Sequence, residues 1–272
     1  MKMRNILCLA VFIISISPIA FAKNNALNPD SDKPTEITAD DSLEWHRNEL
    51  YFKAKKNVRA KQGGTTLLSD ILIAKYRESK KSNIDIYIIK AVGHVQIISA
   101  KSKAYGDKAV YSVDKGLAVL TGKNLRLVSE DQIVTARDKF LYWTAEGRLE
   151  AVGHAVAVRE GDRIEADKLT AVFVEDKKSG KRVLKTLEAF GNVVITTPEE
   201  VLTGDRAKYE SDTNMAQIFD NVRITKGPNV LEGARAQVNL ETNVSKIFGS
   251  KEGGEAGGRV KGVFYPKATD KP

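Results

Sequence analysis

Enzymatic or metal chemistry needs nucleophiles, bases or ligands in a workable pattern, and this chain offers three sets to weigh. His94 and His154 stand in matching phrases, Ala91-Val92-Gly93-His94-Val95 and Ala151-Val152-Gly153-His154-Ala155, which would suggest a paired metal site. The same slot, however, holds Asn57, Asn124, Asn192 and Asn221. Asn and His share a tolerance of left-handed backbone, so a turn or bulge explains the series better than coordination. His46 lies on a polar stretch with no partner nearby in sequence. The second set is a ladder of aspartates, Asp41, Asp70, Asp107, Asp138, Asp167 and Asp205. Paired carboxylates can serve as acid and base, but a residue repeated in every unit reads as structural, here opening a strand after a turn. The third set is the basic run Lys53, Lys55, Lys56, Arg59 and Lys61. It reads either as a solvated edge that deters strand-to-strand aggregation or as a positive rim that meets phosphates. Nucleophile elbow, P-loop and zinc signatures are all absent from the sequence. No catalytic residue, metal or cofactor is therefore expected.

The elements that would position these residues begin after an address. Lys2 and Arg4, the apolar run Ile6–Ala20 and the small-x-small triplet Ala20-Phe21-Ala22 read as a secretory signal cut after Ala22. An uncleaved anchor is the alternative, but the run is shorter than the roughly 20 residues that span a bilayer. Cleavage would remove Cys8, the sole cysteine, and lower the net charge from +8 to +6 over 250 residues. A cysteine-free exported chain fits the bacterial periplasm. Its positive balance suits acidic partners; nucleic acid is not among them, because no aromatic-basic platform accompanies the charge.

The mature chain is an internal repeat. Successive anchors, Asp41 to Asp205 and then Ala234 in the same slot, are 29 to 38 residues apart. The spacing nests in a super-repeat near 97, and Lys80-Lys81-Ser82 returns as Lys177-Lys178-Ser179. Each unit reads as strand, turn, strand, turn and short strand, by period-two alternation and by Gly or Asn at the breaks. Residues 23–36 form a polar linker, 37–248 the repeat body, and 249–272 a Gly-rich tail in which Val260–Tyr265 could add an edge strand.

Alternation assigns the faces. After each Asp, one face takes residues such as Leu43, Trp45, Tyr111, Phe140, Tyr142 and Tyr209. Before each Gly or its equivalent it takes Phe52, Ile89, Leu120, Leu149, Leu187 and Ile218. After the Gly it takes Val58, Val95, Ile97, Leu127, Val193, Ile195, Val222 and Ile224. Many remaining inward positions are Ala, among them Ala54, Ala91, Ala151 and Ala189. The prediction is an elongated all-β body of antiparallel strands with a continuous apolar interior and exposed strand edges at both ends. That interior is either a dry core or a trough for an elongated apolar ligand; small side chains leave volume for the second.

Ile37-Thr38-Ala39-Asp40 followed by repeated A-x-G-[HN]-V and G-D-x-A-x-Y phrases resembles the OstA-like family over about residues 36–248. The tail Gly257-Gly258-Arg259-Val260-Lys261-Gly262-Val263-Phe264-Tyr265-Pro266 is similar to the end of such proteins. The resemblance implies a β-jellyroll open at both ends, whose apolar groove holds the acyl chains of lipopolysaccharide. It also implies that copies join end to end, and to inner- and outer-membrane jellyroll components, as a periplasmic bridge. No catalytic residues come with it. Two other classes stay open: a structural β-repeat scaffold with a dry core, and a polysaccharide-active enzyme using the Asp ladder.

Overall fold

A computed structural model describes residues 34–78, 84–176, 182–239, 241–242, 244–250 and 258–265. The expected signal sequence, the inserts at Lys80–Ser82 and Lys177–Ser179, and most of the Gly-rich segment lie outside them. Among the described residues every regular element is a strand: β1 Thr35–Thr38, β2 Ser42–His46, β3 Tyr51–Gln62, β4 Thr65–Arg77, β5 Asp85–Ile98, β6 Ser102–Ser112, β7 Leu117–Thr121, β8 Arg126–Ser129, β9 Gln132–Thr135, β10 Lys139–Trp143, β11 Arg148–Arg159, β12 Asp162–Glu175, β13 Arg182–Thr196, β14 Val201–Glu210, β15 Met215–Lys226, β16 Asn229–Asn239, β17 Val244–Phe248 and β18 Lys261–Val263. The first strand starts within the segment read as linker, because Thr35 and Glu36 already pair with Gln62 and Lys61.

All pairings are antiparallel, and neighbours in sequence are mostly neighbours in space. Where three strands per unit are expected, the second and third run on as one long strand in most units; around Gly122 they stay separate as β7 and β8. β5, for example, passes straight through Gly93 and His94, with its register against β4 and β6 shifting there. Corresponding shifts fall between Lys55 and Val58, Val152 and Ala155, Phe190 and Val193, and Phe219 and Val222. The cause is local. Gly93 and His94 have φ of 81° and 45°, Gly153 and His154 87° and 44°, Gly191 and Asn192 75° and 50°. Two successive left-handed residues form a bulge that bends a strand without ending its ladder.

Short strands also divide along this line. β6 holds β7 through Lys108–Ser112 and β8 through Ser102–Tyr105. β11 holds β10 on one side of its bulge and β9 on the other. The bulges thus split the sheet into two walls, one before and one after the bend. Inward side chains of both walls meet in one core: Leu72, Ala91, Leu120, Leu149 and Ala189 from the first, Leu67, Val95, Leu127, Ala157 and Val193 from the second. Burying a Val, Leu or Ile in this way contributes roughly 1.5–3 kcal/mol.

Val58, Ile89, Val95, Tyr111, Leu120, Leu127, Phe140, Tyr142, Leu149, Leu187, Val193, Ile195, Ile218, Val222 and Ile224 are buried. Phe52, Ile97 and Tyr209 are partly buried. Leu43 and Trp45 are exposed, at 60% and 48%. They do face inward, since Leu43 pairs with buried Ala54, but β2 is the first strand and nothing stacks beyond it. At the other end β17 and β18 pair with the two halves of β16, so the short Val260–Tyr265 piece does supply an edge strand.

Candidate functional site

The Asp ladder works as scaffold for the bulges. Asn192 Nδ2 donates to Asp167 Oδ2 at 2.9 Å, and Asn221 Nδ2 to Asp205 Oδ2 at 2.8 Å. His94 Nδ1 lies 2.8 Å from Asp70 Oδ2, and the Lys123 amide donates to Asp107 Oδ2 at 2.9 Å. In the first unit Asp40, not Asp41, takes the Asn57 amide at 2.6 Å. At Gly93, Gly153 and Gly191 a Cβ would collide with the carboxyl group of Asp70, Asp138 or Asp167. The carboxylate occupies the space that glycine leaves.

The histidines do not converge on one another. His94 is tied to Asp70, whereas His154 Nε2 sits 3.7 Å from Glu165. His46 stacks on Tyr51 with ring centroids 4.2 Å apart. Among the described residues no three His, Cys, Asp or Glu side chains gather as a metal site. His46 and Lys55 also grip Glu44, and the Lys55 ammonium, with the imidazole second, pulls its carboxyl down to about 2.

The basic run, read as a solvated edge or a phosphate-facing rim, occupies the outer face of β3. Lys53, Lys55, Arg59 and Lys61 alternate with Phe52, Ala54, Val58 and Ala60, which turn inward. Lys56 sits in the bulge at φ 66°, and Lys55 is 2.5 Å from Glu44 Oε1. Lys61 stands opposite Glu36 in register. None of the five faces the interior.

Between the walls lies a cavity with about 810 Å³ of empty space, its opening to solvent included. Leu67, Ile97, Ala104 and Leu127 line it from one wall, and Ile89, Tyr111, Leu120, Phe140, Tyr142 and Leu149 from the other. The lining is apolar apart from hydroxyls such as those of Thr65 and Thr144. Small residues, including Ala91, Ala109 and Ala118, make the room. Burial pushes the Tyr142 hydroxyl up, with Arg182 beside it pulling the other way. At the first strand Trp45, Phe52 and Tyr76 form an aromatic group with centroids 5.3 and 5.2 Å apart, and Trp45 Nε1 donates to the Tyr76 hydroxyl at 2.9 Å. Tyr76 and Phe173, both 4% exposed, were missed in the sequence. Each lies one step further along the same alternation, six residues after its Asp anchor.

A chain built of bent antiparallel strands, with an apolar gap between its walls, can enclose something oily and elongated. A family model described as "LptA/(LptD N-terminal domain) LPS transport protein" matches residues 36–148 and again 138–244. The chain belongs to the LptA/LptD N-terminal domain family. The double match mirrors the super-repeat seen in the sequence, and the family places the chain in lipopolysaccharide transport. The protein also aligns with the crystal structure of LptH, described as the LptA homologous periplasmic component of the lipopolysaccharide transport device from Pseudomonas aeruginosa. That alignment has 12% identity and a TM-score of 0.22, and covers 86% of this chain and 96% of that one. No curated protein matches the chain. In this LptA/LptD-type chain most of the Asp ladder, with His94 and His154, is accounted for by the bulges, His46 by Tyr51 and Glu44, and the cavity is the feature left for function.

Proposed function

We propose that this protein binds lipopolysaccharide in the periplasm and shields its acyl chains between the two walls while the lipid passes from inner to outer membrane. The observation that carries the reading is the apolar, solvent-reachable cavity, lined from both walls, in a chain of this transport family. Acyl chains gain about 0.8 kcal/mol per buried CH₂ without directional contacts, so an apolar trough suffices to hold them. Residues from Phe52 and Val58 through Ile89, Phe140 and Leu149 to Leu187, Tyr209 and Ile224 form its inner face. No bond is made or broken, and energy for movement is supplied elsewhere. End strands β1 and β2, and β17 and β18, are open for pairing with a second copy or with jellyroll components at each membrane.

Photoreactive residues in place of Phe140 or Leu149 test this directly. The expected result is an ultraviolet-dependent adduct with lipopolysaccharide at both positions. A folded protein that crosslinks no lipopolysaccharide at either position would leave a dry-core scaffold as the better reading.

A further inference from the structure

The two edges of the trough differ chemically. One edge is made by the hairpin turns that open β4, β6, β9, β12, β14 and β16. The first inward residue after those turns is, in order, Thr65, Ser102, Gln132, Asp162, Glu200 and Asn229. Every one is polar. The opposite edge is reached where the outgoing strands end, and there the inward residues are Tyr76, Tyr111, Tyr142, Phe173 and Tyr209. Five outgoing paths in succession therefore run from a polar start to an aromatic finish. Thr65 from the first edge and Tyr111 and Tyr142 from the second line the same cavity, so the edges face each other across it.

Turn chemistry alone does not explain the polar row. The opposite edge presents aromatic rings instead, with Thr144 and the tyrosine hydroxyls as its polar atoms. Four of the six are also buried, Thr65 at 4% exposed, Ser102 5%, Gln132 3% and Glu200 3%, with Asp162 and Asn229 partly buried. Some members support their own turns, as where Thr197 Oγ1 accepts the Glu200 amide at 3.1 Å and Ser99 and Ser102 hydroxyls meet at 2.8 Å. Gln132 Nε2 supports nothing, being buried without a hydrogen-bond partner. A buried donor left unmade costs about 1–3 kcal/mol, which favours a ligand that supplies the acceptor. The row's members stand on every second strand, and neighbouring strands are about 4.8 Å apart, so polar groups recur roughly every two strand spacings along the trough.

We infer that the trough binds an acylated glycolipid in one orientation, with the amide, ester and sugar groups at the head of the acyl chains on the polar edge and the chains against the aromatic edge. This rests on the groove reading above and adds a direction to it. A regular ladder of hydrogen-bonding groups offers the same contact at each step, so a lipid moving along the trough exchanges one set of partners for a like one.

The test uses the unaltered protein and two photoreactive forms of a phosphorylated, multiply acylated glucosamine disaccharide, one with its diazirine on the sugar and one at an acyl terminus. Mass spectrometry maps the adducts. The sugar probe is expected to mark the turns around residues 62–65, 99–102, 129–132 and 197–200, and the tail probe to leave them unmarked. A sugar probe that marks the edge around Tyr76, Tyr111 and Tyr142 as strongly would overturn the orientation. A second arm replaces Gln132→Leu together with Thr65→Val, both in the polar row, with circular dichroism to confirm the fold. Glycolipid binding should weaken about tenfold, as expected for losing one or two hydrogen bonds, while binding of a free saturated fatty acid is unchanged. Unchanged glycolipid affinity would overturn the polar edge and leave the groove intact; wild-type protein that binds neither ligand would remove both.

Discussion

At the scale of single residues, the repeated phrase is a device for bending a strand. Gly153 holds φ 87° and His154 44°, and the Asp138 carboxyl fills the space over the glycine. A methyl group there meets both a left-handed backbone and a carboxylate. The Gly153→Ala variant should therefore lose roughly 2 kcal/mol or more, since a non-glycine residue in this region costs about 1–2 kcal/mol before any clash. Gly64 is the control. It stands in open space outside the left-handed region, so Gly64→Ala should leave stability within about 0.5 kcal/mol. Equilibrium urea unfolding of the two variants checks both. Equal, small losses would mean that the bulge tolerates a side chain and that the glycine serves something else. His and Asn in the following slot made the bulge legible in the sequence. The bond from Asp40 instead of Asp41 to Asn57 was not, because both acids precede the strand and only the fold selects between them.

At the scale of elements, period-two alternation carried most of the fold. Ala54, Ala91, Val95, Ala151 and Val193, assigned inward from the sequence, are each 2% exposed or less. The sequence did not reveal that glycine continues a strand here, because a left-handed glycine marks a strand end and a bulge alike. Nor did it separate inward from buried: Leu43 and Trp45 have the right face and no neighbour. The basic run, read as a solvated edge or a phosphate-facing rim, stands opposite the apolar face at Lys53, Lys55, Arg59 and Lys61, with Lys56 in the bulge. The polar edge is not legible in the apolar pattern, because that alternation stops one inward position short of the turns. The C-terminal element also has a consequence for association. β18 is three exposed residues, paired to Val230–Glu232 of β16. Truncating the chain after residue 258 bares that half of β16, and an unpaired edge invites pairing. Analytical ultracentrifugation should show more concentration-dependent assembly than for the full chain. Less assembly would mean that β18 is itself the adhesive strand.

At the scale of the whole molecule, the two ends are complementary in direction. At one end β1 pairs with the after-bend half of β3 and β2 with its before-bend half, so the terminal strand runs from the second wall to the first. At the other end β17 pairs with Arg235–Asn239 of β16, in the first wall, and β18 with Val230–Glu232, in the second, so the order is reversed. Laying one end against the other continues both walls antiparallel and joins the troughs. It would also cover Leu43 and Trp45, the large apolar side chains that face inward at the first end and are exposed there. Leu43→Asp is the informative change. In the separate chain the position is already 60% exposed, so melting temperature should hardly move. In an end-to-end pair the new carboxylate would be buried without a partner, at a cost of several kcal/mol. Dilution experiments by light scattering should therefore show the dissociation constant rising at least tenfold. If Leu43→Asp associates as the parent does, the first strand is not a joining surface between copies. If the variant melts much earlier instead, β2 is packed in solution in a way the open end does not account for.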